Sequence, residues 1–227
     1  MRRCRLLRAV SLGAVEHAST FVQALWIGLA IAAPVGPIGL LVIQRTLDHG
    51  RAVGLATGLG AAVADAGYGA IGAFGMAIVM NALQAARVPL AVLGGAMLLW
   101  LAWRSWSAVP AERAAVVSAA PGLAASFAAT FMLTLSNPAT ILSFIAIFGA
   151  MGARQAGPVS PLAPPLLVLG VLLGSALWWL LLSTGVAQLR HRIGSEARRW
   201  VGRISALLLA AFALWQWAGL WPAVSQR

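Results

Sequence analysis

Ala33-Pro34-Val35-Gly36-Pro37-Ile38-Gly39 lies in the middle of the first long apolar run, Phe21 to Gln44. Two prolines and two glycines in seven residues cannot continue an undistorted helix. Each proline lacks a backbone donor and clashes with the preceding turn, and glycine costs about 1 kcal/mol relative to alanine in a helix interior. Inside hydrocarbon, a backbone carbonyl released by such a break must still find a partner, so the break belongs where protein or a wet cavity surrounds it. Pro34, Gly36 and Pro37 are therefore candidate site residues.

Working outward, the whole chain is apolar. It has 227 residues, 61% hydrophobic and 9% charged, with mean hydropathy +0.88, whereas soluble domains carry about 25% charged residues. The reading is an all-α integral membrane protein. All 16 basic residues are arginine, against five acids. They gather at the ends of apolar runs, which points to topology and lipid headgroups rather than nucleic acid. Cys4 is the single cysteine, which excludes an intramolecular disulfide and a CxxC redox pair.

A span needs about 20 apolar residues, and six candidates follow: about 21–44, 53–80, 88–106, 123–150, 165–189 and 202–221. Residues 1–20 read as a basic tail or interfacial segment, with a cleaved signal as the alternative. Residues 21–106 form a first set of three spans, 107–122 a linker with Pro110 and Pro121, and 123–227 a second set. The first, third and fifth connections hold nine arginines; the second, the fourth and the C-terminus hold three, and the tail adds four to that smaller side. The nine-arginine side is assigned to the cytoplasm, which places both termini in the periplasm.

The fourth span carries its own break, Ser136-Asn137-Pro138. Setting Pro34 on Pro138 aligns Ile38 with Leu142 and Leu41 with Ile145. Two repeats of three spans each must be inverted with respect to one another. Inverted repeats with broken helices at mid-depth are an architecture of secondary transporters, with the substrate between the repeats. Prolines that only kink their helices are the alternative reading.

Asp65 is the one acid well inside a span, where a carboxylate costs roughly 2.5–3.5 kcal/mol on insertion scales. Gly54, Gly58, Ala61, Asp65, Gly69 and Gly72 recur at helical steps, so Asp65 is expected on a close-packing face. Tyr68, three residues on, is within reach of it. On the fourth span Ser126, Thr130, Thr134, Asn137 and Thr140 share a face; they either serve a polar pathway or bond their own helix backbone. Gly170 and Gly174 read as a packing face. His17, His49 and His191 are scattered, so neither a metal cluster nor a cofactor site is expected, and no catalytic arrangement is present.

These motifs resemble the LysE/RhtB family of bacterial amino-acid exporters. The matching residues are Ala33-Pro34-Val35-Gly36-Pro37, then Arg45 and Gly50-Arg51-Ala52-Val53-Gly54, then Gly58, Gly60 and Asp65, and finally Ser136-Asn137-Pro138. The likeness runs over roughly residues 21–221. Ala139 stands where many members carry lysine, and Val35 intervenes as in the basic-amino-acid branch. The resemblance implies a six-helix efflux carrier of the bacterial inner membrane, exporting amino acids or related solutes against protons; its site is expected in the space among residues 34–39, Asn137-Pro138 and Asp65, where Asp65 pairs with a substrate amine or carries the coupling proton. Metal or other cation export is the alternative within the wider superfamily, and a non-transporting scaffold the alternative outside it. On this reading the partners are the small-molecule substrate, the proton and the bilayer, with self-association as a homodimer left open.

Overall fold

The computed structural model describes residues 2–34, 36–75, 82, 86–107, 122–154, 160–190, 192 and 194–218. Among them lie eight helices and no strand: α1 (Arg2–Ala32), α2 (Pro37–His49), α3 (Arg51–Ala73), α4 (Arg87–Trp106), α5 (Leu123–Leu135), α6 (Pro138–Arg154), α7 (Ala163–Leu189) and α8 (Ser195–Ala218).

The breaks follow from the residues that cause them. Ala33 precedes a proline and is pushed out of the helical region, so α1 stops at Ala32. Helix α2 restarts with Pro37 as its first residue, a position where the missing N–H has no intrahelical partner to lose. Gly50, at φ +90°, is the whole connection between α2 and α3, and its N–H donates to Thr46 O at 3.0 Å. That left-handed φ suits glycine.

By length and composition two helices can cross a membrane: the stretch Val15–Ala32 of α1, and α7. A third crossing results if Leu123–Leu135 and Thr140–Phe148, bent by 60° at the second break, count as one span. The apolar stretch of α4, Val88–Trp103, is shorter. The architecture is that of an all-helical, membrane-integral chain.

Several expected boundaries move. The run 21–44 is two helices, and the second continues to His49, which puts Arg45 inside α2 rather than in a connection. The expected tail is helical from Arg2 and continuous with α1; arginine, leucine and alanine are all strong helix formers. Helix α3 ends at Ala73, short of the expected residue 80. Most of the 107–122 linker and the end of the chain from 219 lie outside the described residues.

Helix α7 is central, packed along both α1 and α3, while α3 also packs on α5 and α2, and α4 pairs with α8. Relative directions can be read from facing residues. Gly170 meets Phe21 and Ala24, and Gly174 meets Leu25 and Leu29, so α1 and α7 run parallel. Gly58 meets Trp179 and Gly69 meets Val171, so α3 runs antiparallel to α7. Leu41, Leu98, Leu101, Leu133, Leu209 and Ala213 form one buried cluster; Ala24, Tyr68, Ile141, Phe144, Leu167 and Val171 form another. Trp100, Trp103, Leu181, Leu207 and Trp215 point outward, as residues facing hydrocarbon would.

Candidate functional site

The two breaks share one construction. At the first, Pro34 O accepts from Gly36 N at 2.8 Å, and Gly36 is extended (φ −97°, ψ −167°) before its carbonyl accepts from Leu40 N at 3.1 Å to open α2. At the second, Asn137 N donates to Thr134 O at 3.2 Å, and Asn137 O accepts from Ile141 N at 3.2 Å to open α6. Pro37 and Pro138 are each the first residue of a restarted helix, whereas Pro34, which the sequence comparison set on Pro138, lies on the exit side of its break.

Both breaks border a single cleft. Pro37 and Ile38 of α2, Ser136 and Asn137 of the second break, Gly94 and Leu98 of α4, Leu133 of α5 and Phe212 of α8 line it. Helices α2 and α6 therefore both turn their N-terminal ends toward it. The N–H groups of a first helical turn have no carbonyl four residues back, and the helix dipole adds partial positive charge at that end. The cleft is polar at two points and apolar elsewhere, a setting suited to one anionic group on a small solute. Pro34 is exposed and does not line it.

Asp65 lies elsewhere. Its side chain is buried, 3% exposed, at the interface of α3 with α7. Ser175 Oγ donates to Asp65 Oδ2 at 2.8 Å, and Trp179 Nε1 donates to Ser175 Oγ at 3.1 Å. The Trp179 ring packs over Gly58, where a methyl group would strike it. The structure thus brings Pro37 and Asn137 together and sets Asp65 on a second interface. It does not bring all three to one cavity.

Tyr68 joins the two places. Its hydroxyl donates to Leu135 O, the last residue of α5, at 2.7 Å, and its ring stacks on Phe144 at 5.5 Å. The phenol thereby serves a carbonyl at the helix end that the Asn137-Pro138 break leaves without its regular partner. Thr134 is buried, and its hydroxyl donates to Thr130 O at 2.9 Å, as Thr130 does to Ser126 O at 3.1 Å. These hydroxyls bond their own helix, and Thr134 does not line the cleft. Among the small residues, a methyl at Gly54 would strike Thr46, at Gly170 Ala24 and the Phe21 carbonyl, and at Gly174 the Leu25 carbonyl. At Gly69 it would make ordinary contact with Val171 at 3.6 Å.

Further polar contacts tie the helices together. Sequence reasoning does not link Ser175 and Trp179 to Asp65, although a serine four residues before a tryptophan on one face is a usable sign. Arg45 Nη1 donates to Thr57 Oγ1 at 3.2 Å and to Ser126 O at 3.3 Å, tying α2 to α3 and α5. Arg190 Nη2, just past α7, donates to Asp48 O at 3.2 Å. Among the described residues no group of three or more His, Cys, Asp or Glu side chains is placed to hold a metal ion.

Comparison with known proteins bears on the chain as a whole. The family model described as LysE type translocator matches residues 29–215. "Uncharacterized membrane protein YahN" of Escherichia coli (strain K12) is 31% identical over 180 residues, 77% of this chain and 78% of that protein. "Putative amino acid efflux protein YcgF" of Bacillus subtilis (strain 168) is 24% identical over 196 residues, 86% of this chain and 93% of that protein. No solved structure matches the chain.

Proposed function

The chain belongs to the LysE type translocator family, and from that premise we propose that it is a secondary carrier exporting amino acids or related small solutes by proton antiport. Its family is one of transporters. The single observation that carries the finer reading is that two proline-initiated helices, α2 and α6, direct their N-terminal ends at one cleft. Such ends favour a carboxylate, and the name of the Bacillus subtilis relative points to amino acids.

In this reading α1 with α2, α3, α4, α5 with α6, α7 and α8 are six crossings, divided at the 107–122 linker into two inverted three-span repeats. The first and fourth crossings are broken. The protein sits in the bacterial inner membrane with both termini in the periplasm. Pro37, Ile38, Ser136 and Asn137 face the solute, with Gly36 beside them. Asp65, Tyr68 and Thr134 belong to the supporting and coupling structure. In this structure the gap between these walls has room for little more than a water molecule, far less than a typical small-molecule pocket. A solute enters only when the cleft widens, as carriers that rock between repeats require.

The test is a growth screen of an overexpressing strain against toxic amino-acid analogues and metal salts, followed by efflux of the labelled compound from loaded cells. Resistance to one or more amino-acid analogues is expected, and Asn137→Ala should reduce efflux about tenfold, the equivalent of about 1.4 kcal/mol. Resistance confined to metal salts would replace the amino-acid reading with cation export. Resistance to none, with protein present in the membrane, would remove the export reading.

A further inference from the structure

We propose that Asp65 is a proton-binding site set apart from the solute cleft, with Ser175 as its positioning residue; the assignment rests on the antiport reading above. The geometry separates the two ligands. The cleft is walled by α2, α4, α8 and the α5–α6 junction, and neither α3 nor α7 contributes to it. Asp65 faces the opposite way, into the α3–α7 seam, which side chains fill: the Trp179 ring lies on Gly58 and Val171 on Gly69. On the far side of α7, Gly174 is against the Leu25 carbonyl. Ile38 of the cleft wall packs on the cluster of Ala61, Ala62 and Trp179, so packed side chains stand between the cleft and this carboxylate.

The surroundings of Asp65 leave a proton as the cation that fits. One hydrogen bond, from Ser175, reaches it, and no salt bridge to it exists among the described residues. On its own helix the neighbouring titratable group is Tyr68. Helix α7 presents Ser175 and Trp179, and α5 carries no titratable residue. On α1 the charged and titratable residues Arg2, Arg3, Cys4, Arg5, Arg8, Glu16 and His17 all precede the Phe21–Leu29 stretch that meets α7, and His17 Nε2 is 2.9 Å from Ser160 Oγ. Arg45 of α2 reaches Thr57, eight residues before Asp65 and about 12 Å away along α3. On α6 the one charged residue is Arg154, at its far end. A carboxylate so placed must be neutralised by something small enough to enter a closed seam. The step is simple: a proton from water adds to a carboxylate oxygen, and the same proton later returns to water on the other side. Ser175 Oγ already accepts from Trp179, so its own hydrogen is directed to Oδ2. This fixes the carboxylate rotamer and makes Trp179 a reporter of its charge.

Coupling needs an element that both sites share, and α3 supplies it. One turn beyond Asp65, Tyr68 holds the Leu135 carbonyl beside Ser136 and Asn137 of the cleft wall. A shift of α3 against α7 on proton uptake therefore reaches the second break directly.

The experiment is fluorine NMR of the full-length protein, labelled with 5-fluorotryptophan and held in lipid nanodiscs. The Trp179 resonance is the one missing in Trp179→Phe. It is expected to shift with pH in one step in the wild type and to stay at a single position in Asp65→Asn. In Ser175→Ala the step should persist with its midpoint displaced. A Trp179 signal indifferent to pH, or one that titrates equally in Asp65→Asn, overturns the proton site. An unmoved midpoint in Ser175→Ala overturns the positioning role. A mixture of the common L-amino acids that abolishes the titration overturns the separation of sites, since an amine would then occupy the carboxylate. None of these readings depends on the export screen, so the two can fail independently.

Discussion

Helix α7 lies in a close seam with α3 on one side and α1 on the other, while the cleft is built from α2, α4, α8 and the α5–α6 junction. The seam is made by removing side chains. At Gly58, Gly170 and Gly174 a single added carbon would strike a neighbouring ring or backbone. The cleft is made by interrupting helices, where Pro37 and Pro138 restart them beside a gap. The chain uses glycine where space must vanish and proline where it must open. The seam should therefore answer to bulk, and the cleft to chemistry.

The largest effect is expected in the seam. Gly174→Val sets a branched side chain against the Leu25 carbonyl, a rigid obstacle, and should exceed the ~1–3 kcal/mol of ordinary overpacking. Size-exclusion profiles of fluorescently tagged protein should show the folded peak largely lost; an unchanged peak would mean that the α1–α7 approach is not needed. Next comes Tyr68→Phe, which keeps the stack on Phe144 and strips the donor from Leu135 O. A buried acceptor left alone costs about 1–3 kcal/mol, read as a lowered midpoint of thermal unfolding. If that midpoint holds, another group serves the carbonyl.

The cleft variants should separate stability from transport. Pro37→Ala retains a good helix former at the first position and should leave unfolding nearly unchanged while efflux falls. Equal losses in both would make Pro37 structural. The smallest effect on folding is expected at Gly36→Ala. Its φ of −97° is open to any residue, and a methyl there meets nothing within 4 Å. Stability should stay within about 0.5 kcal/mol, so a fall in efflux from this variant would report the solute's approach to the backbone.

What could be read beforehand sorts along the same line. The breaks were legible because proline lacks a donor wherever it stands, and Asp65 was legible because a lone acid in an apolar run is conspicuous. The partner helices were not legible. Ser175 lies 110 residues from Asp65, and no local pattern says which of several apolar spans will lie against which. For the same reason Asp65 was expected in the cleft, since equal depth in sequence does not distinguish opposite sides of a bundle. Thr134 was ambiguous in principle, because a threonine in a helix always has its own carbonyl four residues back to bond. Nor was it legible which of Pro34 and Pro37 restarts a helix, because a helix start is a backbone property.

Arg45 and Arg190 have a mechanical consequence. Arg45 reaches from α2 to the start of α5, and Arg190 reaches from the end of α7 to Asp48 at the end of α2. Each half of the chain thus grips the other at the same end of the molecule, and the two grips cross in opposite senses, like the two laces of one boot. Parting the halves at that end means undoing both, whereas a pivot about it leaves both tied. At the opposite end, where α7 begins, His17 Nε2 meets Ser160 Oγ at 2.9 Å, so a swing there has that contact to undo.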